Sequence, residues 1–130
     1  LDILAKNVLL KDSLIVSAND AGRGLIYCCS YKNENGILKR KSKYALLTLD
    51  EFIREFNYQP IILGSAISLY KEKLLSAIKG ARVLDKDHWF LKAHNLIDLA
   101  LAKIKAKQFS SALTVKPIYL YPKECQIKTR

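Results

Sequence analysis

The stretch from Ser13 to Lys32 constrains the fold more than any other part of the sequence. Two runs of strand-forming residues, Ser13–Ala18 and Leu25–Tyr31, flank the turn-forming sequence NDAGRG at positions 19–24. Val, Ile and Tyr suit a pleated, half-buried surface, whereas Asn, Asp and Gly accept the positive φ that a tight reversal requires. The stretch therefore predicts a β-hairpin whose tip carries one carboxylate, one guanidinium and two glycines.

The remaining chain divides into elements by the spacing of its apolar residues and by its turn signals. Asn33–Gly36 turns the chain out of the hairpin, so a third antiparallel strand follows. Thr48 and Glu51 have the spacing of a capping box, which predicts the start of a helix. The predicted elements outside the hairpin are, in chain order, a helix tail within Leu1–Lys11, a strand over Ile37–Leu47, a helix over Leu49–Phe56, a strand at Ile61–Leu63, a helix with Ile67, Tyr70, Leu74 and Ile78 on one face, a strand at Ala81–Leu84, a helix from about Leu91 to Lys107 and an extended segment at Val115–Pro122.

The order of the strands and of the helices between and after them, β-β-β-α-β-α-β-α, predicts an α/β fold. Three antiparallel strands followed by two helix-linked parallel strands make a mixed five-stranded sheet with helices packed against it, and right-handed crossovers limit the topology further. This is the plan of ribonuclease H-like domains, which is also the repeated half of the actin-like and sugar-kinase ATPases. The last helix is predicted to face the core with Leu96, Ile97, Ala100, Leu101 and Ile104.

Length and net charge narrow the class of protein. A chain of 130 residues is about one ordinary domain, so we treat residues 1–130 as a single domain. The net charge of +10 can steer such a domain toward nucleic acid or another acidic partner. The only tight basic run is Lys39, Arg40 and Lys41 with Lys43 nearby. Two interpretations stay open: a solvated strand edge that discourages pairing between sheets, or a contact for a polyanion such as RNA.

Residues that usually bind metals or carry out redox chemistry are sparse. The three cysteines form neither a disulfide framework nor a CxxC pair, and Cys28 and Cys29 are expected to alternate on a strand, one inside and one outside. His88 and His94 lack the i, i+4 spacing of a helical metal pair. We therefore expect no metal, no cofactor and a reduced, cytoplasmic setting.

The sequence shows neither a membrane span nor a leader. No apolar run approaches the ~20 residues that cross a bilayer, and no signal-peptide pattern opens the chain. The sequence begins at Leu1 and contains no Met. We therefore expect a processed, trimmed or excised piece from which an N-terminal partner domain is missing.

Two turns are candidate sites for a ligand or a partner. The hairpin tip carries Asp20, Gly22, Arg23 and Gly24, and the second turn carries Gly64 and Ser65. Glycines let backbone N–H groups approach a phosphate, an aspartate can hold a metal-bound water, and the start of a helix favours an anion. Each turn also has a structural explanation, as an Asx-Gly turn or as a serine N-cap, and a protein contact through the planar guanidinium of Arg23 stays open.

Four short segments, spread over nearly the whole chain, together match the pattern of one family. They are Leu1–Ala5, the hairpin Asp20–Tyr27, Leu63–Ala66 with Tyr70 behind it, and Pro117–Leu120. In this order they resemble the SLEALA helix, the DARxGEVY hairpin, the strand-Gly-helix element and the closing PxYLR of the C-terminal lobe of the TsaB (YeaZ-like) family of bacterial tRNA threonylcarbamoyladenosine biosynthesis, often labelled glycoprotease-like or M22 peptidase-like. The sequence departs from the family at Gly22, Leu25 and Tyr121, which replace Arg, Glu and Arg.

The resemblance implies a non-catalytic accessory subunit. In the family, the accessory protein and the ATPase TsaE help the catalytic subunit TsaD to move a threonylcarbamoyl group onto the adenosine beside the tRNA anticodon. The resemblance also implies that the chain is the C-terminal lobe without the N-terminal lobe, which supplies much of the contact with TsaD, and it leaves a homodimer open. The peptidase label finds no support, because the sequence shows neither a nucleophile with its base nor a metal cluster.

Two other functions stay open beside the accessory role. A nucleotide-binding lobe of an actin-like or sugar-kinase ATPase would place the Asp20 hairpin and the Gly64 turn on its ligand. A basic RNA-binding module of ribonuclease H-like fold would use the basic run. A metal-dependent nuclease is disfavoured, because such enzymes need several converging carboxylates and only Asp20 lies near the hairpin.

Overall fold

One mixed β-sheet, centred on the predicted hairpin, organises the computed structural model, which describes residues 1–8 and 10–121. Predictions at Leu9 and Pro122 lie outside these residues. In chain order the elements are α1 (Asp2–Ala5), β1 (Leu14–Gly22), β2 (Leu25–Glu34), β3 (Ile37–Arg40), β4 (Ala45–Thr48), α2 (Leu49–Glu55), β5 (Ile61–Leu63), α3 (Ile67–Ala77), β6 (Arg82–Val83), a 3₁₀ turn (Lys86–His88) and α4 (Ala93–Lys105).

The sheet has the mixed character that the sequence predicts. Its strands lie in the order β3-β2-β1-β5-β6, and β4 also pairs with β2. β1 and β2 are antiparallel, whereas β5 runs parallel to β1 and β6 runs parallel to β5. Because β1 lies between its hairpin partner and the first parallel strand, the predicted hairpin is the centre of the sheet.

The prediction of five strands is wrong, because the described part of the chain forms six. The predicted third strand, 37–47, is two strands that pair with different halves of β2. Between them the backbone N–H of Ser30 donates to the hydroxyl of Ser42, at 2.9 Å. A side chain thus replaces a backbone partner of the ladder and divides the edge strand.

The core occupies both faces of the sheet. On one face Val16, Cys28 and Ile62 pack against α2 and α3. On the other, Ile15 and Cys29 belong to a second cluster with α1. Consecutive residues of a strand point to opposite faces, so both cysteines are buried, and the expectation that one of them faces outward is wrong.

The prediction that the apolar stripe of α4 faces the core is wrong. Its large residues are about half exposed; their exposed fractions are 54% for Leu96, 57% for Ile97, 49% for Leu101 and 53% for Ile104. The buried residue of α4 is Asn95, whose side-chain Nδ2 donates to the carbonyl of Ile3 in α1 at 3.4 Å. Helical spacing shows which residues share a face, and it does not show whether another element covers that face. We call Leu96, Ile97, Ala100, Leu101 and Ile104 the α4 outer face.

The first helix is also shorter than the prediction within Leu1–Lys11. α1 ends at Ala5, and the amide of Asn7 already donates to the carbonyl of Leu4, at 3.0 Å. This i→i+3 bond tightens the last turn, after which a helix seldom continues. The short helix still supplies the fully buried Leu4 and Ala5 to the core.

We expect Asn95→Ala to destabilise the docking of α4. The side-chain Nδ2 of Asn95 donates to Asn7 Oδ1 at 2.7 Å, and the side-chain Nδ2 of Asn7 donates to the carbonyls of His88 and Phe90 at 2.8 and 2.9 Å. Loss of a buried partner costs about 1–3 kcal/mol, and urea unfolding would measure it. His94→Ala, at the exposed neighbouring position, is the control. Equal stability of the two variants would contradict this role.

Candidate functional site

The structure brings the two candidate turns together. β1 and β5 are parallel, with Ser17 opposite Leu63, so their carboxyl ends meet at one edge of the sheet. The amide of Asp20 donates to Ser65 Oγ at 3.0 Å, and the amide of Ser65 donates to Asn19 Oδ1 at 3.3 Å. In open α/β sheets this edge is where ligands bind.

Several backbone amides of these turns donate hydrogen bonds within the chain. At the hairpin tip the amide of Gly22 donates to Asp20 Oδ1 at 2.9 Å, which closes an Asx turn. Before α3 the amide of Ala66 donates to the carbonyl of Ala18 at 3.2 Å, and that of Ile67 to Gly64, also at 3.2 Å. A phosphate would need these donors, so the geometry favours the Asx turn at the hairpin tip. The serine N-cap is wrong, because the N-cap of α3 is Ala66 without a side-chain cap and Ser65 Oγ accepts from the amide of Asp20 instead. The contact role of the two turns stays a prediction.

Gly64 allows the close approach of these two segments. Its φ is +124°, and a Cβ built there would lie 2.2 Å from the carbonyl oxygen of Ala18. Glycine is the residue that can adopt this backbone without a side chain meeting β1. Gly22 and Gly24 at the tip also have positive φ, but a Cβ on either would meet nothing within 4 Å.

Among the predicted contact residues, those at the exposed hairpin tip are the best placed to meet another molecule. Arg23 is exposed and has a φ of +56°, so its guanidinium is available to a carboxylate of another molecule. Tyr121 of the terminal segment donates its hydroxyl to the carbonyl of Ala21 at 2.6 Å, and its ring meets Tyr27 edge to face. Tyr121 thus packs back on the hairpin, whereas Tyr119 is 79% exposed.

The predicted basic run does not act as one uniform patch. Lys39 and Lys41 both pair with Glu34, and hydrogen bonds from Lys41 and Lys39 lower the pKa of Glu34 to about 2. The guanidinium of Arg40 lies over the ring of Tyr44, 4.5 Å from its centroid. Lys43 is exposed. A polyanion that binds here must therefore compete with Glu34 for Lys39 and Lys41.

A partly buried carboxylate between two phenols is a polar cluster that the sequence did not predict. Tyr31 donates to Asp2 Oδ1 at 2.6 Å and Tyr44 donates to Oδ2 at 2.5 Å. Burial raises the pKa of Asp2, but the two hydrogen bonds, together with the positive charges of the N-terminus and Arg40, lower it further, so the pKa lies below its ordinary value. Burial and the bond to Asp2 raise the pKa of Tyr31, and that of Tyr44 to about 12. These residues are far apart in sequence, so no local spacing could reveal the cluster, which ties α1 to the sheet.

We expect Asp2 to make stability depend on pH. Its pKa is lowered in the folded chain, so its contribution is present above the unfolded value of about 3.9 and is lost as the pH falls through the folded value. Asp2→Asn should therefore be less stable than the parent chain at pH 7, and the gap should narrow on acidification. Urea unfolding across this range would measure it, with the exposed Asp50→Asn as control. A gap that does not change with pH would contradict the assignment.

Cysteine and histidine show no catalytic pairing in the described part of the chain. Burial raises the pKa of Cys28 to about 12, so the thiol is protonated at neutral pH. His88 Nδ1 lies 2.7 Å from Asp85 Oδ1 on an exposed turn. Over residues 1–8 and 10–121, no three His, Cys, Asp or Glu side chains are grouped to hold a metal. Nor is any described helix long and apolar enough to cross a membrane.

Comparison with known proteins places the fold. No family model matches the sequence, and no curated protein matches it significantly. The structure matches an uncharacterized protein with similarity to the peptidase YEAZ from Pseudomonas aeruginosa, with a TM-score of 0.74 and 19% identity, over 93% of this chain and 56% of that one. It also matches YeaZ from Pseudomonas aeruginosa, with a TM-score of 0.65 and 19% identity, over 92% of this chain and 56% of that one. The chain thus spans little more than half of these proteins, and it has a YeaZ-like fold.

Proposed function

We propose that this chain is one lobe of a non-catalytic accessory subunit of the tRNA threonylcarbamoyladenosine machinery. It supports a TsaD-like catalytic subunit that works with a TsaE-like ATPase on tRNA in the cytoplasm. The observation that carries the proposal is the YeaZ-like fold over 93% of the chain. Within this proposal the sheet is interpreted as ribonuclease H-like, the plan shared by the lobes of actin-like ATPases.

The α4 outer face supports the proposal that a further lobe completes the protein. The chain spans 56% of the length of its structural neighbours, so a large part of those proteins has no counterpart here. Ile97 and Leu101 lie on one side of α4 and are 57% and 49% exposed. Phe90 and Leu91, just before the helix, are 66% and 64% exposed and add to the apolar surface. A surface of this kind is typical of an interface, and we assign it to the contact with the second lobe.

The chemistry of the described residues suits an accessory role. The thiol of Cys28 is buried and protonated, and His88 pairs with a carboxylate three residues away on the surface. Five backbone amides of the two candidate turns donate within the chain, namely those of Asp20, Gly22, Ser65, Ala66 and Ile67. The exposed parts of the hairpin tip, above all Arg23, are then contacts for a protein partner, and the peptidase label has no support in these side chains.

Reconstitution of the modification reaction tests this function. The polypeptide that contains this chain, a TsaD-like protein, a TsaE-like ATPase and tRNA would be combined, and threonylcarbamoyladenosine would be measured by mass spectrometry of the nucleosides. We expect co-purification with the TsaD-like protein and modification that depends on the polypeptide. Absence of both results would refute the proposal.

We expect Arg23→Ala to weaken the complex with the TsaD-like protein about tenfold, because an exposed guanidinium can pair with a carboxylate through two hydrogen bonds. Lys73→Ala, which removes an exposed charge from α3, is the matched control. Pull-down at graded concentrations would measure the difference. Equal affinities of the two variants would remove Arg23 from the interface without touching the fold.

Thermal unfolding with Mg-ATP separates the accessory role from the nucleotide-binding alternative. A ligand that binds the folded chain raises its melting temperature, and the satisfied amides at Gly22 and Ala66 predict no such shift. A rise of several degrees with Mg-ATP, and none with Mg²⁺ alone, would favour the actin-like ATPase lobe.

A further inference from the structure

A basic groove with an exposed aromatic ring lies at the edge of the sheet opposite the hairpin tip. Its volume is about 550 Å³. The residues that carry the argument are Asp12, Lys32, Lys41, Tyr58, Gln59 and Arg82, which all line it. We call it the basic groove.

The strand order explains why separate parts of the chain meet here. Lys32 of β2 pairs with Leu14 of β1, and Arg82 of β6 pairs with Ile61 of β5. The four strands lie in the order β2-β1-β5-β6. Neighbouring strands are about 4.8 Å apart, so Lys32 and Arg82 start about 14 Å apart on the two sides of the groove.

The groove carries a net positive charge because its cationic side chains outnumber the carboxylates that pair with them. Lys32 lies 3.8 Å from Asp12, whose side chain is 80% exposed, and Lys41 shares Glu34 with Lys39. Arg82 has no carboxylate partner among the residues that the structure describes. Exposed ion pairs of this kind contribute little free energy, so a polyanion can replace them at small cost.

The aromatic ring is presented by a fixed backbone. Tyr58 is 69% exposed. Its backbone forms a bridge with Lys79, and the next amide, that of Gln59, donates to the carbonyl of Lys79 at 3.1 Å. The amide of Arg82 donates to the carbonyl of Pro60 at 2.9 Å, which holds the same loop from the other side. The ring is therefore exposed to solvent while its main chain is anchored.

We propose that the basic groove binds single-stranded nucleic acid, with a base stacked on Tyr58 and phosphates on Lys32 and Arg82. Cations that follow a backbone, combined with an exposed aromatic ring, are what single-strand binding proteins use. An acidic peptide would need the cations alone and would leave the exposed ring without a role. A duplex keeps its bases stacked and cannot offer one to the ring. This inference does not depend on the accessory role proposed above.

Fluorescence anisotropy with labelled oligonucleotides of 12 nucleotides tests whether the basic groove binds single strands. Single-stranded RNA, single-stranded DNA, the RNA duplex and a polyglutamate peptide would be titrated across a salt series with the purified chain. We expect single strands to bind more tightly than the duplex and the peptide, and the RNA and DNA arms show which sugar is preferred. We expect Tyr58→Ala to lower single-strand affinity about tenfold and Tyr58→Phe to retain most of it. Arg82→Gln and Lys32→Gln should each reduce the salt slope by about 0.7.

A charge-matched variant outside the groove distinguishes a site from diffuse attraction. Lys105→Gln removes one positive charge from α4 and should leave the salt slope nearly unchanged. All these positions except the half-buried Lys32 are exposed, so circular dichroism should show the parent fold in every variant. Equal effects of Lys105→Gln and Arg82→Gln, no effect of Tyr58→Ala, tighter binding of polyglutamate or no binding at low salt would each overturn the proposal.

Discussion

Gly64→Ala should cost the chain about 2–6 kcal/mol of unfolding free energy, as the sum of backbone strain and overpacking. The residue has a φ of +124°, and its new Cβ would lie 2.2 Å from the carbonyl oxygen of Ala18 and 2.7 Å from Asn19 Oδ1. A backbone carbonyl in a buried strand cannot move aside as a flexible side chain can. The turn before α3 and the β1–β5 pairing must therefore separate, and urea unfolding would record the loss.

Gly36→Ala is the matched control for this prediction. Gly36 also has a positive φ, +83°, but a Cβ there would meet nothing within 4 Å. Only the tolerance of glycine for a positive φ is lost, at about 1–2 kcal/mol. A Gly64 variant that is no less stable than the Gly36 variant would show that β1 and the turn do not approach as closely as described.

Phe52→Ala should destabilise the chain far more than Ile97→Ala, although helical spacing predicts a core position for both residues. Phe52 is fully buried and packs edge to face on Phe56, with ring centroids 4.9 Å apart, so we expect a loss of about 3–5 kcal/mol. Ile97 is 57% exposed, and its truncation should change stability by less than about 0.5 kcal/mol. Equilibrium unfolding at two protein concentrations would measure both.

A large loss at Ile97 would contradict the exposed α4 outer face. If the loss grew with protein concentration, a second copy would be covering the face. If it were independent of concentration, α4 would be packing within the chain in a way that the structure does not show. Leu74→Ala, at a fully buried position of α3, gives the scale of a true core helix in the same experiment.

Local chemistry predicted most of the fold. The hairpin forms where Val, Ile and Tyr flank NDAGRG, and the capping box is present, with the amide of Thr48 donating to Glu51 Oε2 at 2.8 Å. The short apolar run Ile61–Leu63 is a strand that is buried on both faces. The hairpin and the capping box could be predicted because their partners are close in sequence. The strand Ile61–Leu63 pairs with distant residues, but a short continuous apolar run predicts it without knowledge of those partners.

The features that the sequence did not predict depend on distant partners. Ser42 divides the edge strand because its hydroxyl meets the amide of Ser30. Asp2 finds its two phenols only once α1 has packed on the sheet. At the candidate site the residue types predicted two anion-friendly turns, but not that each would use its amides on the other segment or on itself.

The position of β1 between β2 and β5 predicts an order of folding. The hairpin closes over a few residues, so it can form early, within microseconds. The contact between Asn19 and Ser65 spans 46 residues. Closing this loop costs chain entropy before the parallel pairing of β1 and β5 can contribute any stability. We expect the docking of β5 to follow the hairpin across the main kinetic barrier, so that an amide of β2 exchanges with solvent more slowly than one of β6 at the far edge.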